Sequence, residues 1–228
     1  MKPDLIISWP KNNDYPVWRE MIRSHRHRFA EIWVVFTETN DGLDFSPFVK
    51  EAMKHEAVKF IQQPPVRDHD WRDVAVNEAL RQSHSEWVFF TEQDFFFRDG
   101  FWEFVDQFLS RVDVLAVMDR ERMHPCGIFM SRDALKRTSC NFGIIPGVSD
   151  HFSRIQNDVN SVGLKQVTIP EKLYHHMNGL SQNFTLLKNG DEPNYKPELF
   201  KRYLQSCLLV TVPLNEEWLK IVKPWIEK

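Results

Sequence analysis

The stretch Glu86-Trp87-Val88-Phe89-Phe90-Thr91-Glu92-Gln93-Asp94-Phe95 decides how the chain is read. Trp87 to Phe90 is a short run of aromatic and β-branched residues, which suits a central strand covered on both faces. Glu92 and Asp94 follow it with one residue between them. In extended chain, residues i and i+2 point the same way, so both carboxylates can converge on one point. Neighbouring carboxylates repel unless a positive charge sits between them, and hard oxygen ligands suit Mg²⁺ or Mn²⁺. A solvated turn after a strand is the competing reading, because Glu-x-Asp is short enough to recur by chance. The chain around the pair has to decide.

Upstream, strand and helix alternate. Leu5 to Trp9 reads as a strand ended by Pro10, and Pro16 opens a helix, since proline is pre-organised for a first helical position. Ile32 to Phe36 is a second apolar strand, followed by polar residues 37–42 and a helix through Phe48 to Met53. Val58 to Ile61 is a third strand, stopped at Pro64-Pro65. His69 or Asp70 opens a helix to about Ser83, with Val74, Ala75, Ala79 and Leu80 on its inner face. Four strand–helix alternations with right-handed crossovers give a parallel sheet with helices on both faces. Ligands of such sheets bind outside the carboxyl ends of the strands, so Ser8, Trp9, Thr37, Glu38, Glu92 and Asp94 are the polar positions of interest.

Downstream, Asp99 is expected to cap a helix whose residues Phe101, Trp102, Phe104, Val105, Phe108 and Leu109 form a broad apolar stripe of core type. Val112–Met118 and Cys126–Met130 read as strands, with a short helix at Arg132 to Leu135. Residues 140–149 form a glycine- and proline-containing loop. A helix runs from Asp150 to Val162 and is closed by Gly163, and Leu164 to Ile169 is the last expected strand. After about residue 189 the character changes, and two amphipathic helices are expected at 198–209 and 216–226. The expected organisation is a domain over residues 1–189 and a helical C-terminal extension over 190–228 packed on it.

Bulk properties narrow the function. The chain has 228 residues, of which 42% are hydrophobic and 27% charged, enough apolar material for a sizeable core. The net charge of −3 offers no field for nucleic acid. Cys126, Cys140 and Cys207 are odd in number and far apart, so neither a disulfide framework nor a Cys-x-x-Cys zinc signature is present. That fits a reducing compartment. No apolar run reaches transmembrane length and none near the N-terminus suits a signal peptide, so a soluble, cytoplasmic protein is expected.

The order of these motifs resembles the glycosyltransferases of the GT-A fold, and most of all the large, mostly inverting group called family two. The resemblance spans about residues 4–185. Asn77 stands in the helix before the metal strand, Ser83 and Ser85 occupy the small-residue positions, and Glu92-Gln93-Asp94 stands where Asp-x-Asp is usual. Cys126 to Leu135 resembles the acceptor-side stretch of glycine, apolar strand, arginine and short helix. Ser149-Asp150, followed by Gly163 and Pro170, resembles the helix that carries the catalytic base, and His175-His176 the histidine after the last strand. Two departures stand out: Glu92 replaces the first aspartate, and Ser149 replaces the acidic residue before the base.

The resemblance implies a metal-assisted hexosyltransferase using a nucleotide-sugar donor, UDP-linked by expectation, with inversion at the anomeric carbon. Asp94 would hold Mn²⁺ or Mg²⁺, with Glu92 direct or through water and His176 or His175 supplying a nitrogen. Asp150 would be the general base. Ser8, Trp9, Glu38, Asp70, Arg72, Asn77, Glu92 and Gln93 would line the nucleotide and donor. The acceptor, whether carbohydrate, lipid-linked sugar or protein, and the oligomeric state stay open. A non-catalytic carbohydrate- or partner-binding module on the same fold is the alternative that the two departures favour. A nucleotidyltransferase is disfavoured, because the stretch after the first strand, Trp9-Pro10-Lys11-Asn12-Asn13, has no glycine.

Overall fold

The structure, a computed structural model, describes residues 1–9, 25–37, 58–63, 71–92, 95–119, 121–143 and 152–176. Nine strands lie among them: β1 (Asp4–Trp9), β2 (Ile32–Thr37), β3 (Val58–Gln63), β4 (Trp87–Glu92), β5 (Phe95–Phe97), β6 (Val114–Asp119), β7 (Arg122–Ser131), β8 (Gln166–Thr168) and β9 (Tyr174–His176). Four α-helices accompany them: α1 (Trp71–Gln82), α2 (Phe101–Phe108), α3 (Arg132–Lys136) and α4 (Ser153–Ser161). Seven strands form one sheet in the order β3-β2-β1-β4-β7-β6-β8, and β5 pairs with β9 in a separate ribbon. The pairings among β1, β2, β3 and β4 are parallel, as is that of β6 with β8, whereas β7 runs antiparallel to both β4 and β6.

The sheet is α/β, and its two faces carry separate cores. One core gathers Leu5, Ile7, Val34, Phe89 and Phe129 of the sheet with Phe101, Trp102, Val105 and Leu109 of α2 and its end. The rings of Phe89 and Phe129 stack at 4.0 Å between β4 and β7. The opposite core gathers Ile6, Val35, Val88, Phe90 and Ile128 with Ala75, Val76, Ala79 and Leu80 of α1, Ala134 and Leu135 of α3, and Ile155 and Val159 of α4. Burial of each large apolar side chain here contributes about 1.5–3 kcal/mol. The expected mostly parallel, doubly covered sheet is present, with β7 its antiparallel member, and β4 is its centre as its composition required.

Several local expectations are corrected. Val74 is exposed and Val76 faces the core instead. Gly100, not Asp99, occupies the cap position of α2, at φ 82°, a left-handed conformation that glycine adopts without penalty. β7 starts four residues before Cys126 and hairpins back onto β6, with a register irregularity between Ala116 and Met118. α4 starts at Ser153 with Phe152 at its cap, and a further strand, β9, follows β8. The boundary at residues 189/190 and the helices expected before Met53 and beyond residue 190 lie outside the described residues.

The amino end of the sheet is locked by a polar knot. The Asp4 carboxylate is fully buried and accepts hydrogen bonds from the backbone N–H of Glu31, His84 and Ser85 and from the Ser85 hydroxyl, at 2.7–3.1 Å. The Arg132 guanidinium lies 3.9 Å from Asp4 and donates to the carbonyls of Ser85 and Leu80 and to the Ser83 hydroxyl. Burial lowers the Arg132 pKa from its ordinary value, with Asp4 and then Cys140 opposing the shift; an arginine nonetheless stays charged. This is the arginine that follows the apolar strand in the family resemblance, and here it braces the end of β4 remote from Glu92.

Candidate functional site

At the carboxyl end of the sheet, Ser8 of β1 is in register with Val35 of β2 on one side and Glu92 of β4 on the other. Glu92 is the last residue of β4 and is largely buried. β5 begins at Phe95 and pairs antiparallel with β9 so that Phe95 lies opposite His176. This return brings His176 beside the end of β4: its Nε2 is 3.7 Å from Glu92 Oε2.

β7 supplies the third wall. Thr91 and Gly127 are register partners, and the Thr91 hydroxyl donates to the Cys126 carbonyl at 2.6 Å. A Cβ on Gly127 would sit 2.7 Å from Cγ2 of Val117 and 3.1 Å from the Phe95 ring, so the ribbon packs on β7 only because this position lacks a side chain. His124 and Cys126, two apart on β7, face His176: the two imidazole rings are 4.4 Å apart, and one donor atom from each of His124, Cys126 and His176 lies within 4.8 Å of the others. Cys126 is buried and the two histidines are half-buried, so the cluster has a closed floor and a partly open rim. Nitrogen and sulfur donors beside a carboxylate fit a divalent cation.

Neither His124 nor Cys126 was singled out from sequence as a metal ligand, and Cys126 entered only as the first residue of the acceptor-side stretch. The signal was present as His124-Pro125-Cys126, an i, i+2 pair of ligand-type residues in extended chain. It was masked because β7 was expected to begin only at Cys126.

A second group of contacts frames the stretch that carries Asp150. The Asn77 amide donates to Asp73 Oδ1 at 3.1 Å and to the Cys140 carbonyl at 3.0 Å. Asp73 also accepts the N–H of Phe142 at 2.6 Å, and the N–H of Phe152 donates to the Phe142 carbonyl at 3.0 Å. The Phe142 and Phe152 rings both pack on Phe90, at 5.1 and 5.6 Å. Phe142 and Phe152 therefore both lie against β4 two residues before Glu92. Phe152 holds a left-handed backbone at φ 66°, a conformation that costs a non-glycine residue about 1–3 kcal/mol and persists where surrounding contacts fix it. Gln156 of α4 accepts from the Met123 N–H at 3.0 Å and donates to the Glu121 carbonyl at 2.8 Å, which ties α4 to the start of β7.

Of the residues singled out from sequence, Glu92 and His176 are brought together, and Asn77 is placed as a brace between α1 and residues 140–142. Ser8 and Trp9 end β1, and Arg72 lies in the first turn of α1. Glu38, Asp70, Gln93, Asp94 and Asp150 lie outside the described residues.

No family model matches the sequence, and no curated protein does. Solved structures do match. A mannosyltransferase from Pyrobaculum calidifontis, determined with GDP-Man and Mn²⁺, aligns over 99% of this chain and 74% of its own, with a TM-score of 0.54 and 16% identity. The fold is GT-A. TarS from S. aureus, residues 1–349, aligns over 99% of this chain and 81% of its own, with a TM-score of 0.51 and 11% identity. Glucosyl-3-phosphoglycerate synthase from Mycobacterium tuberculosis, determined with Mn²⁺, UDP-Glc and glycerol 3-phosphate, aligns over 84% of this chain and 82% of its own, with a TM-score of 0.51 and 15% identity. In GT-A terms, β1 to β4 form the parallel half of the sheet, and Glu92 ends the strand at which the two halves meet.

Proposed function

We propose that the protein is a metal-assisted glycosyltransferase that moves a sugar from a nucleotide-sugar donor, a UDP-sugar in first place, to an acceptor hydroxyl with inversion. The observation that carries the reading is the 3.7 Å approach of His176 to Glu92 at the carboxyl end of the central strand of a GT-A sheet. A carboxylate and an imidazole at that edge match the chemistry of a divalent ion that neutralises a diphosphate leaving group. The structural neighbours crystallised with Mn²⁺ and nucleotide sugars support the same assignment.

In this reading Asp94, Glu92 and His176 hold Mn²⁺ or Mg²⁺, which supplies Lewis-acid stabilisation of the departing diphosphate. Ser8, Trp9, Glu38, Asp70, Arg72 and Gln93 line the donor, and Asn77 fixes the segment that leads to Asp150. Asp150 takes the proton of the acceptor hydroxyl as its oxygen bonds to the anomeric carbon; the bond from that carbon to the diphosphate breaks, and the diphosphate keeps the electron pair. Attack from the face opposite the leaving group inverts the centre. Residues 1–189 would form the catalytic domain and 190–228 a helical extension on it.

The test is hydrolysis of a panel of nucleotide sugars with Mn²⁺ present, repeated on Asp94→Ala and accompanied by calorimetry of UDP with and without Mn²⁺. The expected result is turnover of one donor class, metal-dependent UDP binding and loss of both in Asp94→Ala. Hydrolysis indifferent to Asp94→Ala removes the metal assignment. Absence of both turnover and UDP binding leaves a non-catalytic carbohydrate-binding module.

A further inference from the structure

His124 and Cys126 lie in the wall of the site, yet a hard-ion reading gives them no task. We infer that they complete a Cys-His₂ cluster with His176, and that this cluster, with Glu92 beside it, takes a thiophilic divalent ion, Zn²⁺ before Mn²⁺ or Mg²⁺. The inference rests on the functional reading above for the site's place in catalysis and revises the ion that reading assigns, because the two share Glu92 and His176.

Donor chemistry is the first argument. Mg²⁺ and Mn²⁺ prefer carboxylate, carbonyl and water oxygens, whereas thiolate with imidazole is the donor set of Zn²⁺. One sulfur, two imidazoles and a neighbouring carboxylate occupy this site.

Spacing is the second. Zinc bonds of about 2.0–2.3 Å in a tetrahedron hold nitrogen, oxygen and sulfur donors about 3.3–3.6 Å apart. The Glu92–His176 separation of 3.7 Å is already close to that range, and donors within 4.8 Å reach it by small rotations of side chains.

Support is the third. His124 and Cys126 sit on one strand, and the ends of that stretch are pinned: the Cys126 carbonyl by Thr91, and the Met123 N–H by Gln156. His176 is held in register with Phe95 by the ribbon. A site built on paired strands keeps its donors in place better than one built on loops. The Cys126 N–H also donates to Nδ1 of His124 at 3.2 Å, which puts that ring's own proton on Nε2. Ion uptake ends this hydrogen bond whichever nitrogen binds: an ion at Nδ1 takes the accepting lone pair, and an ion at Nε2 moves the ring proton to Nδ1; the Cys126 thiol releases its proton to solvent as it becomes a ligand.

The test uses the full chain, stripped with chelator and reloaded separately with Zn²⁺, Mn²⁺ and Co²⁺. The inference expects one equivalent of Zn²⁺ that outcompetes Mn²⁺, and a cobalt form with a thiolate-to-metal charge-transfer band. Cys126→Ser should abolish the band and weaken Zn²⁺ by at least about the 10–100-fold that loss of a ligand's supporting partner alone causes. His124→Asn should weaken Zn²⁺ similarly while keeping the band, and it carries the test if Cys126→Ser fails to fold. Equal affinity for Mn²⁺ and Zn²⁺, no thiolate band, or Zn²⁺ binding unchanged in both variants overturns the inference. Donor hydrolysis is scored on the same preparations. Turnover with Mn²⁺ but no thiolate band overturns the thiophilic site and leaves the transferase standing. A thiolate band without turnover of any donor supports the site and overturns the transferase.

Discussion

The Thr91 hydroxyl donates a 2.6 Å hydrogen bond to the Cys126 carbonyl, across the junction of β4 and β7. The residue after Thr91 is Glu92, and the residue that accepts the bond carries the thiol of the His124–Cys126–His176 cluster. This buried hydroxyl adds to the β4–β7 ladder in holding the carboxylate and the sulfur in relation to each other. Thr91→Val keeps the shape and removes the donor. Leaving the buried carbonyl short of this partner should cost about 1–3 kcal/mol, read as a lower denaturation midpoint with an unchanged slope. Metal affinity should fall with it, although no ligand is altered.

Gly127 makes a different prediction. Gly127→Ala drives a methyl group against Val117 and the Phe95 ring. Overpacking of this kind typically costs about 1–3 kcal/mol. Because Phe95 is the register partner of His176, the displacement should also reach the imidazole. Thermal unfolding and metal titration should both shift, whereas Val117→Ala combined with Gly127→Ala should recover part of the stability by vacating the space.

The polar knot at the opposite end of the sheet predicts a stability loss without a defect in chemistry. Asp4→Asn removes the charge that faces Arg132 and places an amide where backbone N–H groups converge. Breaking a buried charge pair from one side costs about 3–5 kcal/mol, and exposure of about a fifth of the Arg132 side chain puts this pair at the lower end. Equilibrium unfolding should show the loss, and metal affinity of the folded fraction should be unchanged.

Cys140 gives a pH-dependent outcome. Burial pushes its thiol pKa up, opposed by the Thr138 hydrogen bond and Arg132, with Asp158 and Asp73 adding to the rise. A thiol raised on folding favours the fold while protonated. That contribution is complete below the unfolded thiol's pKa of about 8.5 and is lost as pH climbs through the higher folded value. Alkylation of Cys140, followed by peptide mass mapping, should therefore begin at higher pH in the native protein than in the unfolded chain. Coincident pH profiles would contradict it.

The sheet was legible because Leu5 to Trp9, Ile32 to Phe36 and Trp87 to Phe90 are apolar runs of strand length, and a strand buried on both faces can be little else in an α/β pattern. Glu92 was legible as the polar terminus of such a run. His124 and Cys126 were not, because their stretch carries Arg122 and Pro125 and breaks the apolar pattern; it is extended through pairing with β6, which is a tertiary cause. β5 and β9 escaped notice for a similar reason. Three residues each carry almost no periodicity, and only their mutual pairing makes them strands. The start of α2 shows the same limit, since side-chain capping preference pointed to Asp99 while Gly100, in a left-handed backbone, occupies the cap.

The pairing of Phe95 with His176 has a consequence for the order in which the molecule comes into being. All seven strands of the main sheet precede His176 in the chain. The strands of the main sheet need nothing from β9 to pair with one another, and Leu173 and Tyr174, just before His176, complete one of the two cores as the ribbon docks. The donor cluster is completed only when β9 returns to a strand laid down far earlier, a long loop closure that comes late on entropic grounds. A chain ending after β8 would keep every strand of the main sheet but lack one imidazole of the donor cluster, together with Ile169, Leu173 and Tyr174 of one core.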